Sequence, residues 1–188
     1  MGKVILGITI SLDGFVNDRS GSVEALYPDL AAWRENEVGK ESIQNTGAVV
    51  MGRNSYAMSE DPDWFAGNYE YQVPIFVLTH NPPPEMPKQT EELTFTFVTD
   101  GIESAVRQAK VAAGDREVNI IGAPATARQC LDADLADELH VDIMPVLLGE
   151  GLRLFEDNPK SVELERIAVM ELPAGRTHLK FRIIKKDQ

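Results

Sequence analysis

Apolar positions along the chain fall into short runs separated by turn residues, and the runs change period as the chain advances. Lys3 to Leu12 is β-branched and apolar on both faces, the pattern of a central strand covered on both sides. Asp13-Gly14 signals a turn, Phe15-Val16 resumes extended character, and residues 17–21 read as a loop. Over residues 28–44, Leu30, Trp33, Val38 and Ile43 give a loose helical stripe interrupted by Gly39. Ala48 to Met51 is a short buried strand that stops at Gly52, and Arg53 to Met58 opens a helix. Residues 59–73 are polar and aromatic without a period. Pro74 to Thr79 is a strand, stopped by Asn81-Pro82-Pro83-Pro84.

Leu93 to Val98 is the next strand, and Gly101 opens a helix carrying Ile102, Ala105, Val106 and Ala109 on one side. Val118 to Ile121 is a strand ended by Gly122. Pro124 suits the first turn of a helix whose apolar side includes Cys130, Leu131 and Leu135. Residues 137–155 read as a strand, a Pro145 and Gly-X-Gly turn, and a return to the core on Leu154-Phe155. Residues 161–171 and 176–186 form a final antiparallel pair around Pro173-Ala174-Gly175. Strands alternating with helices and ending in a hairpin predict an α/β domain: a mostly parallel central sheet, helices on both faces, and an antiparallel edge.

Composition narrows the function classes. The chain has 188 residues, enough for one domain with a substantial core, and we expect a single domain over 1–188. A net charge of −12 argues against a nucleic-acid footprint, although a local phosphate site needs only a few donors. The one cysteine, Cys130, permits no intrachain disulfide and no thiolate zinc cluster, and it reads as inert packing. No run approaches membrane-spanning length, and the expectation is a cytoplasmic protein. His80, His140 and His178 show no metal-ligand spacing, so no metal is expected. No Gly-X-Ser-X-Gly elbow is present. Trp33, Trp64 and Phe65 read as core or pocket wall.

Open α/β sheets bind ligands beyond the carboxyl ends of their strands, and four such ends carry candidate chemistry. At Ser11-Leu12-Asp13-Gly14, the carboxylate is either a substrate anchor and proton relay or a turn cap. At Met51-Gly52-Arg53-Asn54-Ser55-Tyr56, a glycine at a strand-to-helix junction exposes amides, and Arg53 either forks onto a phosphate or stays solvated. Thr79-His80 sets a hydroxyl and an imidazole at the third strand end. Gly122-Ala123-Pro124-Ala125-Thr126 either cradles a pyrophosphate or simply packs a helix closely. Neither a Rossmann fingerprint nor a Walker loop is present.

These four sites, in this order and ahead of Asp137-Glu138-Leu139…Pro145-Val146-Leu147-Leu148-Gly149-Glu150-Gly151…Leu154-Phe155, resemble the reductase domain of the riboflavin-biosynthesis family. The similarity runs from Val4 to about Arg182 and is closest to stand-alone bacterial members described as dihydrofolate-reductase-like. The zinc motif of that pathway's deaminase half does not occur in this sequence.

The resemblance implies a dihydrofolate-reductase-like three-layer sandwich and an NADPH-dependent reductase. Hydride would pass to a pyrimidine- or pterin-type molecule, as in a 5-amino-6-(5-phosphoribosylamino)uracil reductase. It implies that Gly52, Arg53, Asn54 and Ser55 face the cofactor phosphates, with Thr79 and His80 near the adenosine 2′-phosphate. Gly122, Ala123, Pro124, Ala125 and Thr126 would hold the pyrophosphate. Leu148, Gly149, Glu150 and Gly151 would lie on the substrate side, and Asp13 would serve substrate and proton transfer. An acidic residue on the first helix, Asp29 or Glu35, would contact a pterin, and relatives imply a homodimer. Relatives carry Gly-Gly where this chain has Gly122-Ala123, and Ser or Arg where it has His80. Two rival readings keep the fold without the chemistry: a nucleotide-binding or scaffold protein that has lost turnover, and an oligomeric structural domain with no nucleotide site.

Overall fold

The computed structural model describes residues 2–122, 124–156 and 161–185. Its strands are β1 (Val4–Ser11), β2 (Thr46–Gly52), β3 (Ile75–Leu78), β4 (Phe95–Val98), β5 (Glu117–Ile121), β6 (Glu138–Met144), β7 (Glu163–Glu171) and β8 (Thr177–Ile184). They form one eight-stranded sheet in the order β4-β3-β2-β5-β1-β6-β8-β7. The six strands from β4 to β6 run parallel, and β8 then pairs antiparallel with both β6 and β7. The expected α/β sandwich with a terminal antiparallel hairpin is the observed architecture.

Side-chain alternation sorts the sheet into two unequal faces. On one face Val4, Leu6, Val50, Val118, Ile120, Leu139 and Val141 pack under α5 (Ile102–Ala113) and α6 (Pro124–Asp132), closing a continuous core. Cys130 is buried there, and burial pushes its thiol up to about 12, so it is a small hydrophobe without nucleophilic character at neutral pH. On the other face Val49, Met51, Ile75 and Val77 pack with Tyr56, Phe65 and Tyr71. That second core covers the β2–β4 half of the sheet. Over β5, β1, β6 and β8 the same face carries polar side chains, and a cavity lies between them and the helices above.

Those helices correct one expectation. Residues 28–44 form two helices, α1 (Leu30–Glu35) and α2 (Glu37–Asn45), separated at Asn36. Asn36 is extended (φ −78°, ψ 166°) and its side chain accepts a hydrogen bond from the Gly39 N–H at 2.9 Å, capping α2. The turn between them is tight enough that a Cβ on Gly39 would sit 2.0 Å from the Trp33 carbonyl oxygen, which explains a glycine inside a helix. The helix expected from Arg53 is a single turn, α3 (Arg53–Tyr56). A second short turn, α4 (Phe65–Asn68), falls in the aperiodic stretch. Trp64 is half-exposed rather than core. After β6 the chain returns to the core on Leu154, 3% exposed, whereas Phe155, 47% exposed, is no anchor.

Candidate functional site: two cavities flanking β5

Because β1, β2, β3 and β5 are parallel, their carboxyl ends share one edge of the sheet. At that edge a cavity of about 270 Å³ is lined by Gly52, Arg53, Asn54, Thr79, His80, Ala125 and Thr126, among others. Three of the four strand ends singled out in the sequence thus meet in one place. Ser55 and Gly122 adjoin it: a Cβ on Gly122 (φ +132°) would come within 2.4 Å of the Ser55 hydroxyl oxygen. A Cβ on Gly52 would stand 2.6 Å from Thr126 Oγ1. Both glycines therefore answer to close approach between the turn after β2 and the turn after β5. Pro124 occupies the first turn of α6. Ala123 lies outside the described residues.

The electrostatics of this cavity stand apart from the rest of the protein. In a chain of net charge −12 its wall contains no Asp or Glu, while it presents Arg53, His80 and the side-chain amides of Asn54, Asn81 and Gln129. Arg53 has no ion-pair partner among the described residues and is exposed. The Thr79 hydroxyl is turned to its own loop, donating to the Asn81 carbonyl at 3.1 Å and accepting from the Asn81 N–H at 3.2 Å. An uncommitted guanidinium and side-chain amide donors fit a phosphate-bearing group.

The fourth strand end does something different. The Asp13 carboxylate accepts the Ser11 hydroxyl at 2.6 Å and the backbone N–H groups of Gly149 and Leu148 at 2.8 and 3.1 Å. The Ser11 bond, then the Gly149 and Leu148 amides, hold its carboxyl at about 2. Leu12 N–H to Val146 carbonyl and Leu154 N–H to Gly14 carbonyl complete the attachment of the 145–154 loop to the end of β1. Gly151 (φ +143°) is needed where the loop crosses Asn17: a Cβ would lie 2.0 Å from the Asn17 carbonyl oxygen. Glu150 reaches Arg19 in an exposed pair, and Leu147 is 69% exposed. Leu148 and Gly149 are thus held by Asp13, Glu150 by Arg19 and Gly151 against Asn17, and none of the four lines either cavity.

The larger cavity, about 300 Å³, sits on the polar face of the sheet beneath α1 and α2. Its floor is Ile5, Gly7 and Thr9 of β1, Asn119 and Ile121 of β5, Glu138, His140 and Asp142 of β6, and the β8 side. Trp33, Tyr27 and Tyr71 provide aromatic wall. Ile121 lines this cavity while the next residue, Gly122, packs against Ser55 and Gly52, so the two cavities flank the end of β5. At one end Arg176, 1% exposed, bonds both carboxylate oxygens of Asp29, Asp142 Oδ2 at 3.0 Å, Thr9 Oγ1 at 3.3 Å and the Leu26 carbonyl at 3.2 Å. Burial opposes the charge of Arg176, but the carboxylates of Asp29 and Asp142 outweigh it and raise its pKa.

Asp142 also bonds His178 Nδ1, whose ring meets His140 edge-on at 5.7 Å. His140 bonds Glu138, which bonds Lys3 at 2.6 Å. Burial lowers the pKa of His140 against the pull of Glu138. This charged row was not anticipated from the sequence beyond Asp29. Its signal was available in the alternation Glu138-Leu139-His140-Val141-Asp142, which puts polar groups on one face of a strand that is otherwise core. Among the described residues no His, Cys, Asp and Glu group could hold a metal. None of their helices is long and apolar enough to cross a membrane.

The model of the RibD C-terminal domain matches residues 2–177. The chain belongs to that family. Among solved structures it is similar to a protein of Shewanella sp. PV-4 whose name ties it to riboflavin biosynthesis. That similarity is 26% identity over 97% of this chain and 99% of the other, at a TM-score of 0.71. It also shares its fold with the dihydrofolate reductase of Enterococcus faecalis complexed with NADP(H), at 15% identity, 98% coverage of both chains and a TM-score of 0.65. The uncharacterized protein YyaP of Bacillus subtilis is 23% identical across 92% of this chain and 90% of its own length. Membership of this family supports a reductase-like function.

Proposed function

We propose that this RibD-type domain is an NADPH-dependent reductase that passes hydride to a pyrimidine- or pterin-type small molecule. The observation that carries the reading is the charge of the strand-end cavity: a wall without a carboxylate, with Arg53 uncommitted, in a strongly acidic protein. Arg53, Asn54, Ser55 and His80 would take the cofactor phosphates, with Thr79 shaping the loop beneath them. The backbone from Gly122 through Ala123, Pro124, Ala125 and Thr126 would meet the pyrophosphate at the start of α6. When bound, NADPH supplies the hydride, and the protein supplies position and electrostatics. Trp33, Tyr27 and Tyr71 would sandwich a flat ring in the larger cavity.

In this reading Asp13 anchors the loop at Leu148 and Gly149 to the end of β1. A carboxyl kept near 2 stays ionised at neutral pH and makes a poor proton donor there. Self-association belongs to the same reading. The edge strand β7 shows half-exposed Leu164, Ile167 and Val169, and an open edge of that kind is suited to pairing as a homodimer.

The test is a fluorescence titration with NADPH and NADH at two salt concentrations, comparing the native chain with Arg53→Ala. The expected result is micromolar binding that prefers NADPH and weakens about tenfold in the variant, one charge-assisted contact being worth about 1.4 kcal/mol. Absence of binding to either cofactor refutes the proposal.

A further inference from the structure

The charge of the larger cavity restricts what enters it. Five carboxylates line it (Glu41, Glu70, Glu117, Glu138 and Asp142) against three cations; each cation is already engaged, and Glu70 is paired at 3.0 Å with Arg34 from outside the lining. Lys3 bonds Glu138 at 2.6 Å, Lys180 pairs with Glu41 at 3.2 Å, and Arg176 is held between Asp142 and Asp29. Glu117 has no ion-pair partner among the described residues. A phosphate ester, carrying close to two negative charges at neutral pH, would find no free guanidinium or ammonium on this wall and would face surplus carboxylate. The strand-end cavity offers the opposite arrangement, an uncommitted Arg53 and no carboxylate.

What the larger cavity does offer is unmet neutral hydrogen bonding. Three of its lining residues hold buried polar atoms without a partner: Trp33 Nε1, Asn119 Oδ1 and His178 Nε2. A donor, an acceptor and an imidazole nitrogen of this kind are normally paired in a native interior, by ordered water or by a ligand. Ring N–H and C=O groups are of the matching kind, and a volume of about 300 Å³ suits a one- or two-ring molecule.

We propose that the substrate is a flat heterocycle bearing no phosphate, and that the chain is not built for the phosphoribosyl-pyrimidine named in the Thermotoga maritima bifunctional relative, a 5-amino-6-(5-phosphoribosylamino)uracil reductase. This inference rests on the reductase reading for its site and departs from it in excluding a sugar phosphate.

The experiment compares two probes by calorimetry, 5-amino-6-(5-phosphoribosylamino)uracil and the same compound without its phosphate. The protein is first saturated with NADP⁺, which has no hydride to give. The dephosphorylated probe should bind about tenfold more tightly at low salt, as expected for a dianion set against surplus carboxylate through partly aqueous surroundings. The ratio should shrink as added salt screens that repulsion. In Glu41→Gln, which leaves Lys180 unpaired, the phosphorylated probe should recover several-fold. Equal or tighter binding of the phosphorylated probe, binding of neither probe, or a preference indifferent to salt overturns the inference. If NADP⁺ itself fails to bind, the cofactor reading fails, and the same two probes titrated into the bare protein still decide the question of the phosphate.

Discussion

Arg176→Met should be among the most destabilising single changes in this protein, and the structure says by how much. The native guanidinium is 1% exposed and satisfies two carboxylates, a hydroxyl and a carbonyl at once. Methionine replaces most of its volume, so packing loss is small and the cost is electrostatic: Asp29 and Asp142 remain buried without their cation. Removing one partner of a buried ion pair costs about 3–5 kcal/mol, a large share of the roughly 5–15 kcal/mol that holds a domain together. For a chain of this size the melting temperature should fall by about 6–20 °C, at 2–4 °C per kcal/mol.

Urea unfolding followed by circular dichroism measures this directly, with an unchanged slope as the sign that the unfolding reaction is the same. Adding Asp29→Asn and Asp142→Asn to Arg176→Met should restore much of the loss, because the uncompensated charges then disappear. A loss under about 1 kcal/mol in Arg176→Met alone would refute the reasoning, since that is what an exposed pair contributes.

Gly122→Ala should fold yet lose NADPH affinity by about tenfold or more, since a side chain at φ +132° meets Ser55; a titration equal to the native one would oppose the close-approach argument. The Asp13 carboxyl sits at about 2, below its ordinary 3.8, so its contribution is complete above about pH 4 and disappears as pH falls through about 2. The melting-temperature gap between the native chain and Asp13→Asn should therefore close over that acid window, and a gap constant down to pH 2 would count against the anchor. Val169→Lys on the β7 edge should turn a dimer into a monomer in size-exclusion chromatography with light scattering, with no change in the far-ultraviolet spectrum.

The legible parts of this molecule were those decided by local chemistry. The run Ala48 to Met51 is apolar on both faces because the parallel sheet is covered twice there, and its shortness between turn signals marks it as a strand. The turns at Gly52 and Gly122 carried their own mark, a glycine between a strand and a helix. The N-cap at Asn36 was missed, because the apolar stripe continued past it and hid the break. Arg176 was not readable. It follows Pro173-Ala174-Gly175 and looks like the first exposed residue of a hairpin strand, and only the antiparallel pairing of β8 with β6 carries it beneath α1 to Asp29. His178 was hidden for the same reason, since its partner Asp142 is cross-strand and 36 residues away.

That hidden row also changes what the resemblance to dihydrofolate reductase can mean for substrate recognition. A free acid at the start of the first helix would present both oxygens to a ring. Asp29 is at that place, but its two oxygens are spent on Arg176. In the proposed reading the recognition left to the cavity falls on the unpaired Glu117, on Trp33 Nε1 and Asn119 Oδ1, and on the imidazole of His178, which Asp142 orients through Nδ1. A ligand bound by such groups should lose affinity with Trp33→Phe, which removes the indole donor and keeps an aromatic wall. It should lose little with Asp29→Asn, in which Arg176 stays in place on Asp142 and on the amide oxygen. Measured with the dephosphorylated probe, a dependence on Asp29 as large as that on Trp33 would show that the acid still reaches the ring, and the division of labour argued from these distances would be wrong.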